Sequence, residues 1–222
     1  MTAEHPGVIA MRPVRVPIER HELNGDLAVP PNPHGIVVFA HGSGSSRYSP
    51  RNRSVAGRLQ QHGFATLLID LLTDREDALD ERSGEFRFDI PMLADRLVAI
   101  VDWVRRQPET AALPVGLFGA STGGGAALVA AARVDIAAVV SRGGRPDLAG
   151  PALPRVTAPT LLIVGGLDAP VIEMNRQAQA QMRAHVVLEI VPGATHLFEE
   201  PGTLDRVAEL AAAWFEQYLT RS

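Results

Sequence analysis

The stretch that decides the reading is Val115-Gly-Leu-Phe-Gly-Ala-Ser-Thr-Gly-Gly-Gly-Ala-Ala-Leu-Val-Ala130. Its first part is a short apolar run that reads as a buried strand, and its last part is a small-residue run that reads as a helix. Between them, Gly119-Ala-Ser-Thr-Gly123 is a G-x-S-x-G pentad. A serine on such a turn stands exposed at the end of its strand, with glycines on either side. The free N–H groups and positive dipole end of the following helix point to where an oxyanion would form.

The pentad gains weight from two segments later in the chain. Thr160-Leu-Leu-Ile-Val-Gly-Gly-Leu-Asp168 is a strand breaking into a turn at an acid, and Val191-Pro-Gly-Ala-Thr-His-Leu-Phe198 comes after the strand Val186–Val191. Ser121, Asp168 and His196 thus fall at carboxyl ends of predicted parallel strands, where open α/β sheets bind ligands. The order serine, acid, histidine is that of a nucleophile elbow served by later loops. Serine needs a base to become a nucleophile, imidazole supplies one near neutral pH, and a carboxylate fixes its tautomer. Asp70, ending an earlier strand, is a rival acid that the chain order disfavours.

Around these residues, predicted strands at 12–19, 21–29, 35–40, 64–69, 136–140 and 186–191 alternate with predicted helices at 50–62, 90–107, 171–183 and 203–219. This is the pattern of a mostly parallel sheet with helices on both faces in one α/β domain over 1–222, its first ten residues loose. The first two strands read as an antiparallel pair. The charge-dense stretch Asp74 to Asp89 reads as a solvated loop or a mobile rim, and no large lid domain is expected.

Composition narrows the function classes. Net charge is −4 over 222 residues, 46% of them hydrophobic, with a pI near 6.0, which argues against a nucleic-acid surface. The chain contains no cysteine, so disulfides, thiolate metal sites and a cysteine nucleophile are ruled out. No histidine pair has metal-ligand spacing, and the glycines at 123–125 are not followed by the lysine of a phosphate loop. The expectation is a cytoplasmic protein with no cofactor, no metal, no membrane span and no nucleic-acid partner, acting on a small-molecule ester.

The loop His41-Gly-Ser-Gly-Ser-Ser-Arg47, after the strand at 35–40, is the natural source of the second oxyanion donor beside the Thr122 amide. The Ser43 amide is the first choice and Gly44 its rival, with His41 expected to hold the loop by hydrogen bonds. Arg142 and Arg145 follow the strand at 136–140 and are candidates for gripping a substrate carboxylate, against internal pairing with Asp147 or Glu199. Arg47, Arg51 and Arg53 are expected in ordinary surface pairs, and Glu199 and Glu200 in local ones.

Together with Ser49-Pro-Arg-Asn52, Leu68-Ile-Asp-Leu-Leu-Thr73, Ser141-Arg-Gly-Gly-Arg-Pro-Asp-Leu148 and Gly193-Ala-Thr-His-Leu-Phe-Glu-Glu200, these motifs make the chain resemble an α/β-hydrolase of the dienelactone hydrolase family. The resemblance runs over residues 13–220 and is strongest to the branch sometimes fused to a phosphoribosyltransferase domain. It implies Ser121 as nucleophile, Asp168 as acid, His196 as base, and amides near Ser43 and Thr122 as the oxyanion hole. One departure is visible: the family's namesakes use a cysteine nucleophile, where this chain has Ser121. The expectation is therefore cleavage of small esters or thioesters in general. An acyltransferase or perhydrolase using the same triad, and a non-catalytic binder on the same fold, are the rival readings.

Overall fold

The computed structural model describes residues 9–219; residues 1–8, within the segment expected to be loose, lie outside the described residues. Eight strands form one sheet: β1 (Arg12–Ile18), β2 (His21–Ala28), β3 (Ile36–Ala40), β4 (Ala65–Ile69), β5 (Val115–Ala120), β6 (Ala138–Arg142), β7 (Thr160–Gly165) and β8 (Val186–Val191), in the order β1-β2-β4-β3-β5-β6-β7-β8. β1 and β2 form the expected antiparallel pair, β2 joins β4 antiparallel, and the pairings from β4 to β8 are parallel. The strands β3 to β7 are buried along their whole length, which is why their sequences are continuous apolar runs rather than alternating ones.

Two cores follow from the two faces. Val38, Leu117 and Val139 face α3 (Ile90–Val104), through Leu93, Leu97, Ile100 and Val104, together with α4 (Thr122–Ala131). Phe39, Phe118, Val140 and Ile163 face α1 (Pro50–Gln61) and α6 (Thr203–Tyr218). Each fully buried side chain of this size contributes about 1.5–3 kcal/mol relative to exposure. α1 starts where Ser49 accepts from the Asn52 amide and Pro50 takes the first helical position; α3 starts in the same way on Asp89, which accepts from Met92. α5 (Ala169–Gln181) follows β7.

The strand order reverses between β3 and β5, with β4 on one side and β6 on the other. That switch point opens a crevice at the carboxyl ends of β3 and β5. The loop after β3 and the turn after β5 both lead into it.

The structure corrects two expectations. The stretch at 74–89 is not an irregular loop: α2 spans Asp74–Ser83. It begins with a reciprocal capping box between Thr73 and Glu76. Arg96 of α3 binds Glu76, and Arg87 folds back on Asp80. The strand expected at 136–140 runs instead from Ala138 to Arg142, so Arg142 is the last residue of β6 and not part of the loop beyond it. No large lid is evident among the described residues.

Candidate active site

Ser121 caps α4 with φ 51° and ψ −122°. This region of backbone space is strained for any residue bearing a Cβ, at about 1–3 kcal/mol. The turn is held from several sides. The Ser121 amide donates to the Arg142 carbonyl at 3.2 Å, and the Ser121 carbonyl accepts from the amides of Gly124 and Arg145, both at 3.0 Å. Gly123 allows a close approach that no other residue could: a Cβ there would lie 2.2 Å from the Ala40 carbonyl oxygen and 2.5 Å from that of His41. The start of α4 is thereby pressed against the end of β3.

The acid and the histidine arrive from the loops after β7 and β8. His196 Nδ1 lies 2.7 Å from Asp168 Oδ2. The carboxylate is mostly buried while the imidazole is 39% exposed. Asp168 also sits at the N-terminus of α5 without using its side chain as a cap. The histidine loop is anchored by buried Phe198 and closed by Glu200, which accepts from the Thr195 hydroxyl and amide at 2.6 and 3.1 Å. Gly143, at φ +51°, lies against the histidine. A Cβ on Gly143 would meet His196 Cε1 at 3.5 Å, and Gly143 follows the residue whose carbonyl takes the Ser121 amide. Among the described residues the Ser121 hydroxyl makes no hydrogen bond. The rival acid, Asp70, is occupied by Arg47, which binds it through both guanidinium and amide.

In the loop after β3, the Leu71 amide donates to His41 Nε2 at 2.9 Å, and Nδ1 lies 2.9 Å from the Gly42 carbonyl. The first bond requires a bare Nε2, so the proton is on Nδ1 and donates to that carbonyl. Burial favours this neutral ring and lowers its pKa; Gly42, Asp70 and Asp77 act the other way. His41 is thus the loop holder that the sequence led us to expect. A trans peptide points its C=O and N–H in opposite directions. Fixing the Gly42 carbonyl on His41 therefore turns the Ser43 amide away, and it donates to Thr122 Oγ1 at 2.8 Å. The amide chosen first as the second oxyanion donor is therefore engaged with a side chain at the start of α4. The Gly44 amide, at φ +67°, donates to no group among the described residues. A cleft with about 270 Å³ of empty space lies beside this loop, lined by Ser43, Gly44, Leu72, Arg87, Leu93 and Thr122. Larger grooves of about 850 and 1250 Å³ lie along α1 and α6 and beside α3; neither they nor the cleft is lined by Ser121, Asp168 or His196.

The arginines meet the expectations in part. Arg145 places one side of its fork on Asp147 at 2.7 and 2.8 Å, the internal pairing that stands against a substrate role for it. Arg47 and Arg53 are not surface pairs but converge on the mostly buried Asp26. Arg51 reaches Glu199 at 3.3 Å. Arg142 is paired with no carboxylate among the described residues. No group of three or more histidine or acidic side chains among them could hold a metal. No helix there is long and apolar enough to cross a membrane.

The dienelactone hydrolase family model matches residues 23–219. The chain belongs to the dienelactone hydrolase family. A dienelactone hydrolase from Anabaena variabilis has 59% sequence identity and a TM-score of 0.94, with 96% of this chain and 99% of that one covered. Est1E from Butyrivibrio proteoclasticus, at 18% identity and a TM-score of 0.76 over 92% of this chain and 98% of its own, shares the fold. A Mycobacterium tuberculosis protein named as a phosphoribosyl transferase is 62% identical over 197 residues, 88% of this chain. The present chain corresponds to 44% of that protein's length. Family and fold support a hydrolase, and the site has to say which one.

Proposed function

We propose that the chain is a serine hydrolase of small carboxylic esters and thioesters, working through an acyl-enzyme on Ser121. The observation that carries the reading is the combination of a strained, helix-capping Ser121 with a His196–Asp168 pair whose histidine packs on Gly143, next to the serine turn. His196 Nε2 takes the Ser121 proton as Oγ attacks the acyl carbon. His196 later returns that proton to the leaving alcohol or thiol, then draws one from the water that hydrolyses the acyl-enzyme. Asp168 holds the tautomer that leaves Nε2 free. Catalytic contacts of this kind often tighten only with substrate bound, and the reading requires Nε2 to reach Ser121 Oγ in that state.

The developing oxyanion is met by the Thr122 amide at the start of α4. A second amide comes from the loop after β3, either Gly44 or Ser43 once Ser43 exchanges Thr122 Oγ1 for the substrate oxygen. The cleft beside the loop after β3 is small, in keeping with a compact acyl group. Turnover of an activated short-chain aryl ester tests the reading. Ser121→Ala is expected to lower kcat/KM by several orders of magnitude with an unchanged circular dichroism spectrum, and equal activity in that variant refutes it.

A further inference from the structure

The side chain of Thr122 accepts a hydrogen bond but gives none. The Ser43 amide donates to Thr122 Oγ1 at 2.8 Å. A hydroxyl that accepts a bond still has its own hydrogen to donate. Among the described residues that hydrogen goes to no acceptor. Thr122 is only 3% exposed, so little solvent reaches it. It lines the small cleft beside the loop after β3, together with Ser43 and Gly44.

Two constraints keep the hydroxyl where it is. Threonine is stiff at χ1, and the second well it uses in helices depends on a carbonyl three or four residues earlier. Here those residues are Phe118 and Gly119, which belong to strand β5 and not to a helix. On the other side, His41 fixes the Gly42 carbonyl, which directs the Ser43 N–H at Thr122 Oγ1. The amide and the hydroxyl thus form a short chain of donors, and the first bond polarises the second. The chain ends on the residue that opens α4. The amide of that residue has no intrahelical partner, and the positive end of the helix dipole lies there.

We propose that the Thr122 hydroxyl donates its hydrogen to the oxyanion that forms on the substrate, so that one residue supplies two donors. The Ser43 amide then acts through the hydroxyl and stays bonded to it. Of the two loop amides that could complete the hole, this selects Gly44. No proton is transferred in the step. The bond is weak to a neutral carbonyl and strong to the charged oxygen, so it lowers the barrier and acts on kcat. The inference rests on the esterase reading and deepens it, making Thr122 catalytic through its side chain as well as its backbone.

The test is Thr122→Val, which keeps the shape of the side chain and removes the hydroxyl, assayed with an activated short-chain aryl ester. Its kcat should fall about 10- to 100-fold, the size of a lost hydrogen bond to a charged group, with KM held within about threefold. Thr122→Ser should recover most of that loss. A second readout is inhibition by an alkyl trifluoromethyl ketone, which forms a hemiketal oxyanion on a nucleophilic serine. Its affinity for Thr122→Val should weaken by the same factor as kcat/KM falls. A fall in kcat without a matching loss of ketone affinity assigns Thr122 a structural role and overturns the proposal.

An unchanged kcat in Thr122→Val overturns it as well. So does a higher kcat, which would identify the hydroxyl as a stopper that leaves the hole when substrate binds. Circular dichroism and the urea midpoint show whether the valine variant is folded. Should it not fold, Thr122→Ala against Thr122→Ser makes the same comparison, and an alanine variant as active as the serine variant overturns the proposal. Failure of the esterase reading is seen in wild type: a protein that neither turns over the ester nor binds the ketone refutes that reading and this inference together. An active wild type beside an equally active valine variant refutes this inference alone.

Discussion

Replacing Ser121 by glycine should make the protein more stable while destroying its activity. The backbone at φ 51° and ψ −122° is readily open only to a residue without a Cβ, so the substitution releases strain of about 1–3 kcal/mol. Glycine also gains freedom in the unfolded chain, a loss of about 0.5–1 kcal/mol. The serine hydroxyl makes no hydrogen bond among the described residues, and the side chain is only half-buried, so little else is given up. The balance is a gain of about 1 kcal/mol, or about 2–4 °C in Tm for a chain of this size. Ser121→Ala is the control, because it removes the hydroxyl but keeps the Cβ and the strain. Its stability should stay near wild type. Urea unfolding of the three proteins, with midpoint and slope both fitted, separates the cases. A glycine variant no more stable than the alanine variant refutes the claim that this turn stores strain.

Two more outcomes rest on named contacts. Asp168→Asn keeps the size of the side chain but stabilises the wrong imidazole tautomer, and ester turnover should fall about 10³- to 10⁴-fold; urea unfolding should show a stability change below about 1 kcal/mol, because the paired imidazole is exposed and Asp168 makes no capping bond. Burial alone would raise the Glu76 carboxyl, but the Arg96 fork and the bonds from Thr73 outweigh it and bring its pKa to about 2. A carboxyl lowered on folding stabilises above its ordinary value near 4.5 and loses that contribution as pH falls toward 2. Acid titration of the urea midpoint should therefore be flatter between pH 4.5 and 2 in Glu76→Gln than in wild type, and equal slopes would contradict the assignment.

The parts of the fold readable in sequence were those with strong periodicity. The buried strands at 36–40, 65–69 and 160–165 announce themselves as apolar runs, and α3 and α6 as amphipathic stripes. The missed helix α2 has no such stripe. Its buried residue is Asp80, and it is held by the ion pairs Glu76–Arg96 and Asp80–Arg87, both formed with residues outside it, so polarity was mistaken for solvation. The capping pair Thr73 and Glu76 was the available signal. The start of β6 was misplaced because Ile136 and Ala137 are apolar yet precede the ladder, while Ser141 and Arg142 are polar yet continue it; ladder register is a tertiary property.

At the site, residue types and chain order singled out Asp168 and His196, and the structure pairs them. What chain order cannot convey is which donor is already engaged. The Ser43 amide is turned onto Thr122 by a peptide plane fixed at His41. Arg145 and Arg142 look alike in Ser141-Arg-Gly-Gly-Arg-Pro-Asp147, yet Asp147 captures the nearer one and leaves the other unpaired. That asymmetry depends on how strand β6 alternates beneath α1.

The most direct measurement is reaction with a fluorophosphonate, then peptide mass spectrometry of the labelled protein. The account predicts a single phosphonyl adduct on the peptide containing Ser121, formed rapidly in wild type and at least a hundredfold more slowly in His196→Gln. A wild-type protein that stays unmodified, or that carries the adduct on another residue, would contradict it.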